Sequence, residues 1–333
     1  MAAARVLFDM ELMKAFVRSD AKSDVVALAN VPVAEVADHE VLVQVRAFGV
    51  GLHDRYFIPP DARFPYVIGT EAAGVVLETG TGVETFGPGD RVLLSSALNP
   101  KGGSWAELTV VGDAALTRMP DELDFPTAAG LPVAGKTAVE SLRTLDLRSG
   151  ETLFVAGASG AIGTLVIQMA TAGGIRVAGS ASARNHDYLL SLGAEKAVDY
   201  NAHDWQEQVR QWAPDGVDAA LAIQPGTGAS SQFVVREDGH VVTVSGDVFE
   251  PEPRCPSRAV RAPCRRPPGY GRSAGRDHRW THPGGPRTDL SIHGSRGGAR
   301  EDRNPSCARQ AGRRWVSAGV PDARPDRDAV SDD

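Results

Sequence analysis

The residues best placed to do chemistry are three glycines. In the run Glu151-Thr-Leu-Phe-Val-Ala-Gly157-Ala-Ser-Gly160-Ala-Ile-Gly163, a short apolar stretch leads into glycines spaced three apart, and a second apolar stretch with helical spacing follows. A tight strand-to-helix turn needs residues without Cβ, so that backbone N–H groups can approach a pyrophosphate closely. The helix N-terminus then adds its partial positive charge. Gly157, Ser159, Gly160, Ala161, Ile162 and Gly163 are therefore the expected cradle of a dinucleotide. A plain glycine-rich strand-to-helix loop is the other reading of these residues, and the flanking strand and helix favour dinucleotide binding over it.

The end of the next strand should choose between the two nicotinamide dinucleotides. A carboxylate there accepts from the ribose 2′-hydroxyl and repels a 2′-phosphate. This chain has Gly179-Ser-Ala-Ser-Ala-Arg184-Asn185, with no carboxylate before Asp187. Ser180, Ser182 and Arg184 can donate to a 2′-phosphate, Arg184 through a charge-assisted bond. The expected cofactor is NADPH rather than NADH. Ser and Asn also suit a helix cap, so a simple loop stays open as a reading of these three residues.

The elements that must hold this turn follow from the pattern around it. Residues 13–127 read as short strands broken by Gly and Pro: Val41–Val50, Ala72–Thr79, Asp90–Ser95 and Ala106–Val111. From residue 128 helices and strands alternate. A helix over Ala128–Leu145 precedes strands at Glu151–Ala156, Ile175–Gly179, Lys196–Tyr200, Val217–Ile223 and His240–Ser245. Helices over Ala161–Thr171, Asn185–Leu192 and Asp204–Trp212 lie between them. Such alternation implies right-handed crossovers and a parallel sheet, here of five strands. The expected architecture is α/β, with a β-rich domain over 13–127 and an incomplete doubly wound parallel sheet over 128–250.

Composition bounds the rest. Residues 1–250 hold 18 Lys+Arg and 32 Asp+Glu, whereas residues 251–333 hold 17 Arg, no Lys and 10 acidic residues. That final stretch also contains 11 of the 22 prolines, all three cysteines, no Phe and only six Leu, Ile or Val. Six in 83 is far below the roughly 20% needed to bury a core. With no Cys before Cys255, thiolate metal sites and disulfides are excluded from the body of the chain. No apolar run approaches the ~18 residues of a membrane span, and Asp9 and Glu11 interrupt any signal-peptide core. A cytoplasmic, non-membrane protein is expected.

Four stretches together resemble the medium-chain dehydrogenase/reductase superfamily, in its zinc-independent quinone oxidoreductase branch. Met13-Lys-Ala-Phe resembles the usual start, making residues 1–12 an extension. Gly69-Thr-Glu71-Ala-Ala-Gly74 with Gly80 and Val83 matches a G-x-E-x-x-G-x5-G-x2-V signature, and Gly89-Asp-Arg-Val92 follows it. Leu131-Pro-Val-Ala-Gly135-Lys-Thr137-Ala resembles the junction between domains, and the Gly157–Gly163 turn resembles the branch's nucleotide loop. The resemblance implies a GroES-like β domain, a Rossmann domain and a cleft between them. It also implies hydride transfer to a quinone or α,β-unsaturated carbonyl substrate, and a homodimer.

By the same resemblance, Gly49–Tyr56 lies beside nicotinamide and substrate. Tyr56 would hydrogen-bond a substrate oxygen and Asp54 would orient it or a neighbour. Thr137 would lie near the carboxamide and Ser245 would line the cofactor groove. Each has a plainer alternative: Tyr56 packing under a loop, Asp54 capping it, Thr137 bonding its own helix, Ser245 ending a strand. Zinc-dependent relatives place a Cys within the segment matching Gly49–Asp54 and a His where Thr70 stands, so no zinc is expected. His53 and Glu71 alone make too few ligands, and Glu71 is expected to brace a turn.

Residues 251–333 resemble neither a sixth strand nor a return to the first domain, which leaves an unpaired sheet edge and a tail expected to be disordered or non-native. Thr288–Gly294 is the one stretch that reads as a strand. The Arg/Pro/Gly-rich composition resembles GC-rich coding sequence in a shifted frame. Translating the other two frames past codon 250 should return a family-like ending, and finding none removes the idea. Cys255, Cys264, His278 and His282 are wrongly spaced for a metal site. Arg261–Arg272 reads as solvated rather than as a nucleic-acid platform, so no nucleic-acid partner is expected. If the unfinished fold cannot work as an enzyme, a non-catalytic dinucleotide binder is the alternative.

Overall fold

The computed structural model describes residues 12–22, 24–247 and 249, together with the strand backbone at 257–259 and 313–314. The first part is built from β1 (Leu12–Arg18), β2 (Val26–Pro32), β3 (Glu40–Phe48), β4 (Tyr66–Val67), β5 (Glu71–Thr79), β6 (Arg91–Ser95), β7 (Leu108–Gly112) and β8 (Leu116–Arg118). Alternation along β3 sends Val41, Val43 and Val45 inward to meet Ala72, Val76, Val92 and Leu94. The indole of Trp105 stacks on Phe48 at 5.6 Å and meets Phe16 edge-on at 6.3 Å.

Two helices follow, α1 (Phe125–Ala129) and α2 (Pro132–Leu145). One helix was expected over Ala128–Leu145. The structure divides it, because Gly130 ends α1 and Pro132 sits in the first turn of α2, where its missing N–H costs nothing. The break has a structural use: α1 packs on β3 and β5, whereas α2 packs mainly on α3 while also reaching β5, β6, β12 and β13.

The second part comprises β9 (Thr152–Ala156), α3 (Ala161–Ala172), β10 (Arg176–Ala181), α4 (His186–Ser191), β11 (Lys196–Asp199), α5 (Trp205–Trp212), β12 (Val217–Ala222), α6 (Gly228–Ser231), β13 (Val235–Thr243) and β14 (Ser257–Ala259). The sheet is parallel throughout, in the order β11-β10-β9-β12-β13-β14. Central β9 is buried on both faces, Leu153 and Val155 toward one cluster, Phe154 and Ala156 toward the other. Such a strand needs continuous apolar residues instead of alternation. The family-type pairing of GroES-like and Rossmann-like folds is thus present, with mixed α and β structure.

Two strand expectations need correction. β13 begins at Val235, five residues before the expected His240: Val235 pairs with Val217, and a register shift then carries Arg236–Gly239 unpaired on β12 until His240 pairs with Ala219. The sheet has a sixth strand where five were expected: Ser257–Ala259 pairs with Val241–Thr243. The expected bare edge at β13 is therefore covered over three residues. A strand that short carries no pattern to read, because its pairing rests on main-chain bonds. A last strand, β15 (Arg313–Arg314), pairs with β3. Thr288–Gly294, Arg261–Arg272, Cys255, Cys264, His278, His282 and residues 1–11 lie outside the described residues. Among the described residues, no helix is long and apolar enough to cross a membrane.

Candidate active site

The glycine turn sits where β9 runs into α3. Gly157 adopts φ of +83°, a left-handed conformation that side chains resist. Gly160 is the N-cap of α3, and Ala161, Ile162 and Gly163 form its first turn, whose N–H groups have no intrahelical acceptors. A Cβ at Gly163 would lie 2.5 Å from the Ala158 carbonyl oxygen, so glycine alone lets helix and strand approach this closely. These residues fit a pyrophosphate.

The segment after β10 is tied to this turn. Asn185 donates from Nδ2 to Ser159 Oγ at 3.3 Å and Ser182 Oγ at 3.2 Å. Ser180 is buried, and its carbonyl accepts from the Ala158 N–H at 3.0 Å. Arg184 is exposed. Ser182 caps the short 3-10 turn at Ala183–Asn185 without a side-chain bond to it. The structure thus brings Ser159, Ser182 and Asn185 together. Ser245 follows the end of β13, at the same carboxyl edge of the sheet, and is exposed. Gln224, missed from sequence, follows β12 and stands against Gly157, its Cβ 3.3 Å from where a Gly157 Cβ would be. The signal was its place just past a parallel strand.

Helix α2 links this edge to the first part of the chain. Its last carbonyl, Leu145, accepts from His240 Nε2 at 3.1 Å, and His240 and Leu153 lie opposite the same residue of β12, Ala219. Leu145 is therefore near the start of β9, and the helix N-terminus points toward the edge that carries the glycine turn. Thr137 donates to the Val133 carbonyl at 2.8 Å, the local helix bond that was its plainer reading.

At that N-terminus the Val133 N–H donates to Glu71 Oε2 at 2.8 Å, across 62 residues of sequence. Glu71 is fully buried at the start of β5. Its carboxyl group lies over Gly49, where a Cβ would come within 2.3 Å of Oε1. The Gly49–Tyr56 segment closes over it as a 3-10 turn at Leu52–Arg55. Asp54 is buried and holds that turn: it accepts the Gly51 N–H and the Thr70 hydroxyl, each at 2.8 Å. His53 Nε2 stands 3.8 Å from Glu71 Oε1 and 3.9 Å from Asp54 Oδ1. Tyr56 is 64% exposed, so it does not pack beneath the loop. The sequence marked Glu71 as a brace, and it braces two parts of the chain rather than one turn.

Burial sets the protonation of this group. It pushes Glu71 up to about 7, against the Val133 N–H, with the Asp54 charge adding to the rise. Burial also raises Asp54, opposed by His53, and lowers His53, opposed by Asp54. An unfolded glutamate ionises near 4.5. Between the two values the folded chain binds more protons than the unfolded one, so stability falls as pH rises from 4.5 through 7. The full effect of Glu71 is on the order of 3 kcal/mol. Glu71→Gln should accordingly match wild type in urea denaturation at pH 4.5 and exceed it at pH 8. Equal midpoints at both pH values would refute this.

The description "Alcohol dehydrogenase GroES-like domain" matches residues 37–121, and "Zinc-binding dehydrogenase" matches residues 161–262. The chain is 35% identical to an NADPH-dependent alkenal/one oxidoreductase of Arabidopsis thaliana, over 75% of this chain and 68% of that protein. It belongs to the medium-chain dehydrogenase/reductase superfamily. Among its relatives is the quinone oxidoreductase of Homo sapiens, 28% identical over 63% of this chain and 65% of that one. The quinone oxidoreductase structure from Coxiella burnetii superposes with a TM-score of 0.63 at 27% identity, covering 70% of this chain and 75% of that one. The chain spans about two thirds of the length of these curated relatives.

Although one matched description in this superfamily names zinc, the donor set present does not fit that ion. Zinc takes three or four protein ligands. Here the Gly49–Asp54 segment offers no thiolate and Thr70 no imidazole, and Asp54, beside His53, has its carboxylate oxygens on the Gly51 N–H and the Thr70 hydroxyl. Among the described residues, no group of three His, Cys, Asp or Glu side chains is placed to hold a metal.

Proposed function

We propose that this member of the superfamily is a zinc-independent, NADPH-dependent reductase acting on a quinone or an α,β-unsaturated carbonyl compound. One observation carries the reading: the first turn of α2 bonds Glu71, the carboxyl group against Gly49, through the Val133 N–H, and α2 packs on α3, the helix that starts from the phosphate-fitting glycines. NADPH, when bound, supplies the hydride. The first turn of α3 and Gly157, Ser159 and Gly160 hold its pyrophosphate, with Gln224 alongside. Ser180, Ser182 and Arg184 face the 2′-phosphate, and Thr137 and Ser245 line the nicotinamide side. Tyr56, exposed on the turn, holds the acceptor oxygen. Asp54 has both carboxylate oxygens occupied and therefore acts by fixing the turn. The NADPH-dependent relative in Arabidopsis supports the cofactor choice.

The reading is tested by titrating the full chain with NADPH, followed by cofactor fluorescence, and then assaying NADPH oxidation with a panel of quinones and enones. Saturable binding and turnover are expected. Arg184→Ala should weaken NADPH roughly 10- to 100-fold while leaving NADH unchanged, the loss of one charge-assisted bond. Binding without turnover would leave the non-catalytic alternative. Absence of binding would overturn both.

A further inference from the structure

Resting on the reductase reading above, we propose that His53 is the catalytic proton donor to the reduced acceptor, resupplied through its buried face by Glu71. The observation behind this is how the ring is placed. Its Nε2 is shut off from solvent and has no hydrogen-bond partner. The side chain as a whole keeps 19% of its surface exposed, and with Nε2 buried that surface belongs to its other atoms. One imidazole thus spans from the surface of the turn to a sealed carboxyl group. The titratable groups around it are Asp54 on its own turn and Glu71 on β5. Helix α2 contributes the Val133 N–H, and the Phe57 ring meets the imidazole edge-on at 6.4 Å.

Asp54 has one oxygen on the Gly51 N–H and the other on the Thr70 hydroxyl. Glu71 uses Oε2 for the Val133 N–H and turns Oε1 toward Nε2 at 3.8 Å. That separation exceeds a hydrogen bond, and such contacts commonly shorten when substrate closes a site. Leu52, Tyr56 and Phe57 on the turn, with Leu98 beside them, are all exposed, giving His53 an apolar, aromatic surround. The Leu98 N–H donates to the Phe57 carbonyl at 3.3 Å, which joins the two loops. An apolar acceptor such as an aryl enone or a quinone suits that surround.

The step balances as follows. A hydride adds to the β-carbon of the enone, forming a C–H bond, and the electron pair of the C=C bond moves onto the carbonyl oxygen. His53 Nδ1 gives its proton to that oxygen, forming the O–H bond of the enol, while the Glu71 carboxyl proton passes to Nε2. Glu71 is left as a carboxylate and recovers a proton from solvent through His53 after the product leaves.

His53→Gln keeps a polar side chain on an exposed turn but cannot relay a proton. Its kcat with an enone should fall about 100-fold, with NADPH binding by fluorescence unchanged within about twofold, as expected for a group acting only on proton transfer. The kcat–pH profile should lose its limb near neutrality, and added imidazole should restore turnover to His53→Ala. Wild-type kcat and profile in both variants would overturn the proposal. Independently of activity, ring-nitrogen NMR should show the His53 titration midpoint move down by about one unit in Glu71→Gln, and an unchanged midpoint would also overturn it. If wild type turns over none of the quinones or enones, the reductase reading fails by itself, and the NMR result still decides whether His53 and Glu71 share a proton.

Discussion

Gly163→Val should abolish NADPH binding, with an affinity loss above roughly 100-fold and a stability loss of about 1–3 kcal/mol from overpacking. The atoms a new Cβ would strike are the Ala158 carbonyl oxygen at 2.5 Å and its carbonyl carbon and Cα at 2.7 Å. These are backbone atoms of the turn itself, so they cannot yield without moving the amides that meet the phosphates. Gly160→Ala is the matched comparison. Its Cβ would lie 3.4 Å from the Gly157 carbonyl oxygen, an ordinary contact, at an unstrained φ of −77°. It should cost less than about 1 kcal/mol of stability yet still weaken NADPH, because the methyl group occupies the approach to the phosphates. Fluorescence titration and urea denaturation on both variants separate the two effects. Wild-type affinity in Gly163→Val would sink the dinucleotide assignment.

Phe154→Ala should be the most destabilising single substitution proposed, at about 3–5 kcal/mol. Phe154 is fully buried in central β9 and its ring stacks on Trp205 of α5 at 5.3 Å and 12°. Removing the ring leaves Trp205 without its stacking partner and opens a void among Ala178, Val198, Val209 and Ala220, which are themselves fully buried. A loss of this size is a large part of the ~5–15 kcal/mol that holds a domain folded. The site should suffer with it, since β9 carries the glycine turn at its end. A urea midpoint within about 1 kcal/mol of wild type would show that this face of the sheet is looser than its burial implies.

The sequence was most readable where the physics is local. The Gly157–Gly163 turn needs only its flanking strand and helix, which are adjacent in the chain. The strands of the first part, with their period of two, appear within a residue or three of their expected bounds. Reading failed where a neighbour supplies the order. Val235–Gly239 is Val-Arg-Glu-Asp-Gly, with no strand pattern, and belongs to the strand because Val235 pairs with Val217 of β12 across a register shift. Ser257–Ala259 joins for the same reason. The division at Gly130–Pro132 was written in residue types that stop and start helices, but a helical run of apolar residues across it masked the boundary.

What the sequence alone determined is the parallel α/β unit, its phosphate-fitting turn and the absence of a carboxylate beside Ser180–Arg184, since each depends on residues within a few positions of one another. Only the tertiary structure decided that His53, Glu71 and the Val133 N–H meet. They lie on a turn, a strand and a helix spread over 80 residues. Short-range spacing cannot encode such a meeting. It arises because β5 buries a carboxyl group that must find donors, and the first turn of α2 supplies one in the Val133 N–H.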